Sequence, residues 1–230
     1  MKVLIVGQAG SGKTTLTNYF GKWLTKNGYK VRLFNLDPGI KDLPYLPHFD
    51  IRNFFTVEKI MKEEGIGPNA ALIRAMERLL ENKEKIIERF DESADFHLID
   101  TPGQLEIFAF HEVGKEIASL CDVGFFLIPT TSISSAPEFC IFYLLYLVTE
   151  IRLGLELLPV ITKAKKRVDI DFENLRVEGF LTEISEKVCK IVKSILPSRR
   201  PIFIDSLREK GFDELLDILH EFKCTCGDLT

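Results

Sequence analysis

The 230-residue chain carries little net charge, because 30 Lys+Arg against 34 Asp+Glu leave only −4. That balance excludes a nucleic-acid binder held by bulk charge, and no direct nucleic-acid partner is expected. Long apolar runs are also missing. The longest runs ten residues, from Phe139 to Val148, well short of the ~18 that span a bilayer. The opening stretch offers a short apolar strand and then a glycine loop, too short for a signal-peptide core, so a cytoplasmic chain without membrane contact is expected. The five cysteines are odd in number and form no framework, which implies a reducing compartment. Cys224 and Cys226 lack a second pair or a neighbouring histidine and read as part of a solvent-exposed tail. His48, His97, His111 and His220 show no ligand spacing and read as hydrogen-bonded or surface residues.

What the chain has is apolar material: 46% hydrophobic residues, 18 of them Phe. It can bury a sizeable core, and its length fits one large domain, residues 1–230, carrying an insertion. Six apolar runs, at 2–6, 30–36, 95–99, 123–128, 157–161 and 201–204, read as buried parallel strands. Helical spacing at 13–27, 137–153, 172–195 and 212–222 separates them. The pattern predicts an α/β fold with three layers, a doubly wound and mainly parallel sheet.

Between the second and third strands lies a long excursion, residues 38–95, where a crossover needs only a dozen or so residues. Its first part, 38–55, contains Pro38, Pro44 and Pro47 and reads as irregular loop. Two helices follow, near 56–64 and 70–90, joined by Gly65-Ile66-Gly67-Pro68-Asn69.

Gly7-Gln8-Ala9-Gly10-Ser11-Gly12-Lys13-Thr14 matches G-x-x-x-x-G-K-S/T directly after a strand and before a helix. Its glycines allow successive N–H groups, through Thr15, to converge on phosphate oxygens at the positive end of the helix. Lys13 would reach the β- and γ-phosphates, and the Thr14 hydroxyl would ligate Mg²⁺. Asp100 closes a strand and opens the turn Thr101-Pro102-Gly103-Gln104, the place for a second Mg²⁺-holding group. There the Gly103 N–H could sense the γ-phosphate, while Gln104 could orient an attacking water. Asp37 ends the second strand on the same edge. Three readings stand for it: placing or deprotonating water, supporting the metal, or closing a plain Asx-turn.

Taken with Asn35-Leu36-Asp37-Pro38, Leu43-Pro44-Tyr45, Asp50-Ile51-Arg52 and Gly67-Pro68-Asn69, these blocks resemble the GPN-loop GTPases over residues 1 to about 150. That family belongs to the P-loop NTPases of the signal-recognition-particle and MinD class. The resemblance implies a GTP-to-GDP hydrolase and a homodimer in which Gly67-Pro68-Asn69 enters the other subunit's site. It further implies base contacts from Thr162, Lys163 and the Ser206 backbone, and an output in assembling a client such as RNA polymerase. Read from the residues alone, Asn69 is equally a helix N-cap, and capping and catalysis both stand. Gln8 stands where MinD-type relatives place a second lysine, which leaves the Gly-Pro-Asn segment as the trans element. Arg52 reads either as a phosphate contact across the dimer or as an ordinary ion pair.

The guanine-reading motif departs from the family pattern. In Thr162-Lys163-Ala164-Lys165, Lys165 occupies the place of the base-reading Asp, and an ammonium cannot accept the base's N–H bonds. Asp169 and Asp205 are candidate substitutes. Guanine with a substitute acid, relaxed base use, and binding with little turnover all stay open. The second functional reading is therefore a nucleotide-gated assembly module. A small-molecule kinase fits less well, since the insertion supplies no arginine-rich lid. Lastly, the aromatics of 139–148 need cover beyond the sheet, and the expected cover is a partner subunit, with the C-terminal helices as the other option.

Overall fold

Val3, Leu4, Ile5 and Val6 are all fully buried, and they divide by parity between two cores. Alternate strand residues point to opposite faces, so a strand apolar at every position requires cover on both sides. The computed structural model describes residues 1–164 and 180–227. Its strands β1 (Lys2–Gly7), β2 (Val31–Asn35), β3 (Phe49–Asp50), β4 (Phe96–Asp100), β5 (Val123–Pro129), β6 (Leu157–Thr162) and β7 (Ile202–Phe203) form one sheet in the order β3-β2-β4-β1-β5-β6-β7. Every pairing in it is parallel. The expected α/β architecture and P-loop NTPase topology are thus observed.

On one face, α1 (Lys13–Lys26) and α9 (Phe212–Gly227) pack on Val3 and Ile5 through Leu16, Phe20, Phe212 and Leu215. On the other lie α2 (Val57–Glu64), α3 (Pro68–Glu81), α4 (Lys83–Ile87), α5 (Leu105–Ala109), α6 (Glu112–Ala118), α7 (Ala136–Leu153) and α8 (Phe180–Ile195). Parallel strands deliver their C-terminal ends to one edge, so Gly7, Asn35, Asp100 and Thr162 emerge together.

Several expectations need correction. The 38–55 segment is not wholly irregular, since Phe49 and Asp50 extend the sheet beside Phe34 and Asn35. The second insertion helix breaks at Asn82, whose side-chain amide donates to the Arg78 carbonyl at 2.7 Å, giving α3 and α4. Asn69 is not an N-cap. Gly67 takes that position, and Pro68 occupies the first helical turn, where its missing N–H and fixed φ cost nothing. The short helices α5 and α6 had no counterpart in the sequence reading. The helix expected over 172–195 is observed from Phe180 onward, and residues 172–179 lie outside the described residues. Cys224 and Cys226 fall within α9 rather than in a tail, with side chains outside the described ones.

The aromatics of α7 are covered within the chain. Phe139, Tyr143 and Tyr146 are fully buried, and Cys189 and Val192 of α8 join the same core. The Tyr143 hydroxyl donates to the Arg199 carbonyl at 2.5 Å and Tyr146 to Leu157 at 3.1 Å. The second cover is therefore α8, not a partner subunit. What α7 leaves exposed is aliphatic: Ile141, Val148 and Ile151. Among the described residues no helix is long and apolar enough to cross a membrane.

Candidate nucleotide site

The loop from Gly7 to Thr14 turns where only glycine fits. Gly7 has φ +152, and a Cβ there would come within 2.8 Å of the Leu127 carbonyl and Ser11 Oγ. Gly12 has φ +99 and caps α1 with no side-chain acceptor, which leaves the first-turn N–H groups for an anion. Thr162 Oγ1 donates to the Ser11 carbonyl at 2.6 Å, tying the loop to β6.

Lys13 Nζ rests on the loop itself, donating to the Gly7 carbonyl at 2.8 Å and that of Gln8 at 3.2 Å. Burial lowers its pKa, and the nearby Asp100 and Asp37 carboxylates oppose that shift. Asp100 is wholly buried, and burial pushes its carboxyl up to about 7 against the opposing pull of the nearby Thr14 hydroxyl and Lys13. Oδ2 accepts from the Tyr45 hydroxyl at 3.1 Å, whereas Oδ1 is buried with no hydrogen-bond partner. An orphaned carboxylate oxygen beside a threonine hydroxyl is an all-oxygen donor set suited to a hard cation. Among the described residues no cluster of three or more His, Cys, Asp or Glu could hold a metal. Mg²⁺ takes few protein ligands and completes its shell with phosphates and water. Thr14 and Asp100 therefore fit this metal.

Asp37 faces the same place. Its Oδ1 accepts the Gly39 N–H at 2.8 Å and its Oδ2 the Gly103 N–H at 3.2 Å. Burial raises its pKa, while those backbone donors and Lys13 act the other way. The Asx-turn onto Gly39 is real, and it coexists with the aim toward Gly103. Gln104 is exposed and lines an open cleft of about 770 Å³ with Ala9, Asp37, Arg52 and Gly103. Leu72, one turn after Asn69, borders this cleft, whereas Asn69 is exposed and outside its lining.

Arg52 is engaged within the chain. It pairs with both oxygens of Asp50, Nη2 to Oδ2 at 2.6 Å and Nε to Oδ1 at 3.0 Å, and it donates to the Lys41 carbonyl at 3.0 Å. Burial opposes ionisation of Asp50, but the Arg52 and Asn35 bonds outweigh it and hold that carboxyl low. Sequence reasoning assigned nothing to the Tyr45 hydroxyl, although Tyr45 sits in a block it quoted, whereas an ordinary ion pair was one of its two readings of Arg52. A contact spanning 55 residues, Tyr45 to Asp100, leaves no local signal.

A second cavity, of about 730 Å³, opens beyond Gly12 and Thr15 between Thr130, Thr162, Lys163, Asp205, Ser206 and Arg208. Lys163 takes φ +58, unusual for a residue with a side chain, and stretches Nζ to the Gly10 carbonyl at 2.9 Å. Its stem thus spans the loop beside the cavity. Lys165 and Asp169 lie outside the described residues.

A family model described as a conserved hypothetical ATP binding protein matches residues 5–225. A GPN-loop GTPase of Pyrococcus abyssi is 37% identical over 250 aligned positions that cover all of both chains. This chain belongs to the GPN-loop GTPase family. GPN-loop GTPase 3 of Dictyostelium discoideum is 30% identical across 84% of this chain and 74% of its own. The crystal structure of an apo GTPase from Pyrococcus abyssi superposes with a TM-score of 0.88 at 34% identity, covering 98% of each chain. The likeness to these GPN-loop proteins runs through the C-terminal third, beyond the residue-150 limit of the quoted blocks. The model's description speaks of ATP and the relatives' names of GTP, so the choice of base rests on this chain's own pocket.

Proposed function

We propose that this chain is a Mg²⁺-dependent GTPase, one P-loop NTPase domain over residues 1–230 whose 38–95 insertion carries the Gly-Pro-Asn loop. The observation that carries the reading is the convergence of Lys13, Asp37, Asp100 and the Gly103 N–H at one sheet edge, with Asp100 Oδ1 left unpartnered. Mg²⁺ held by Thr14 and Asp100 would neutralise charge on the β- and γ-phosphate oxygens. Gly7, Gln8, Ala9, Gly10, Ser11, Gly12 and Thr15 form the cradle. Lys13 exchanges its two carbonyl partners for phosphate oxygens, which orients the terminal phosphoryl group. Asp37 accepts a proton from, or a hydrogen bond by, the attacking water, and Gln104 orients that water from the open side. The ring of Thr162, Lys163 and Ser206 receives the base.

The functional unit in this reading is a homodimer. Asn69 is exposed at the start of α3, beside a cleft bordered by Leu72 and Gln104, so a second copy can carry its own Asn69 there. Loss of the γ-phosphate frees Gly103 and allows the 38–55 segment and α2–α3 to move, coupling hydrolysis to assembly of a client complex such as RNA polymerase in the cytoplasm. Phosphate release from GTP, for wild type and Lys13→Ala, tests the enzyme reading. Turnover abolished by the substitution supports it. Nucleotide binding without turnover above the variant leaves only a nucleotide-gated assembly module.

A further inference from the structure

The base cavity lacks the family's acid at the Lys165 position, yet it does not lack an acid. Asp205 is the only carboxylate among the described residues that line it, with a side chain just 9% exposed. Its position is fixed from both directions. The Asp205 N–H donates to the Lys210 carbonyl and the Lys210 N–H returns to Asp205, both at 3.2 Å. Gly211 closes that turn at φ +78, where a Cβ would meet the Phe203 carbonyl at 2.3 Å. The Ala164 N–H donates to Ile204 at 3.0 Å, which brings the Lys163 segment alongside Asp205. Arg208 Nη1 pairs with Oδ2 at 2.7 Å. A carboxylate offers about four lone-pair sites, so this bond leaves acceptor capacity facing the cavity.

We propose that Asp205 is the base-reading residue of this chain and makes it prefer guanine. The inference rests on the nucleotide reading of the site. Guanine presents two adjacent donors, N1–H and the 2-amino group, which match two carboxylate acceptors. Adenine presents the N1 lone pair and no 2-amino group, so a carboxylate there faces an acceptor and discriminates against it. The exchange of Lys for the usual acid at 165 is then offset by an acid on the neighbouring loop. Arg208 orients the carboxylate from the solvent side.

The test is an equilibrium titration of GDP, ADP and xanthosine diphosphate into wild type, Asp205→Asn, Asp205→Ser and Lys13→Ala. Wild type should bind GDP about 10- to 100-fold more tightly than ADP. Asp205→Asn should lose that advantage and gain xanthosine diphosphate, because its amide keeps an acceptor for N1–H and adds a donor for the 2-oxo group. Asp205→Ser should lose GDP preference without the gain, and ADP affinity should hold in both. A gain of binding cannot come from misfolding. An unchanged GDP-to-ADP ratio in Asp205→Asn, or an equal loss of all three ligands in both variants, overturns the assignment while leaving the nucleotide site standing. Failure of wild type to bind any of the three, or Lys13→Ala binding as wild type does, overturns the nucleotide reading and this inference with it.

Discussion

Asp37 Oδ2 accepts the backbone N–H of Gly103 at 3.2 Å, across 66 residues of sequence. In the proposed reading that N–H is the one through which the turn after β4 would register a γ-phosphate. A γ-phosphate bound there would take the N–H from Asp37, and the released carboxylate would then face water. Asp37→Ala is expected to lower turnover by about 10²- to 10⁴-fold, the usual weight of a positioned base. GDP affinity should change by less than about threefold, because the cradle does not use Asp37. Single-turnover phosphate release beside GDP titration checks both.

Asp100 gives the protein without metal a pH-dependent stability. Its carboxyl sits at about 7 when folded, against an ordinary 3.8. Between those values the folded state keeps the proton and the unfolded state releases it, so stability is fully present below about pH 4 and is lost as pH rises through 7. The loss is at most about 4 kcal/mol. Thermal melts of metal-free protein should show a falling midpoint from pH 5 to 7.5, and Asp100→Asn should flatten this slope. The same substitution should abolish Mg²⁺-stimulated nucleotide binding.

The Asp50–Arg52 pair secures the 38–55 segment by one charged fork and by donation to the Lys41 carbonyl. Arg52→Ala should cost about 1–2 kcal/mol, since the pair is partly buried and both carboxylate oxygens lose a charged donor. Hydrogen exchange should rise within residues 40–53 and stay unchanged in β1 and β5. Equal destabilisation of every strand would show that the pair does not act locally.

The phosphate loop was legible because its chemistry is contiguous: eight residues, a strand before them and a helix after. Asp100 and Asp37 were legible because strand ends in a parallel sheet share an edge. β3 was not, since two residues carry no periodicity and only the Phe34 and Asn35 partners make them a strand. The α5 and α6 helices, of five and seven residues, are likewise too short for a 3.6-residue pattern. Asn69 lies two positions past the cap because the proline before it takes the helix start and leaves Gly67 as the cap. The partner of the α7 aromatics was misjudged because α8 follows some thirty residues later, and nothing local says which helix packs where.

In the proposed dimer each active site is completed by a second copy, and mixing two inactive variants tests this directly. Lys13→Ala and Asn69→Ala are each expected to release little phosphate from GTP alone. Mixed after dissociation and reassembly, they form heterodimers in which one of the two sites has both Lys13 and the partner's intact asparagine. With random pairing about a quarter of wild-type turnover should return. A mixture no more active than its components, in protein shown to have exchanged subunits, would contradict the account.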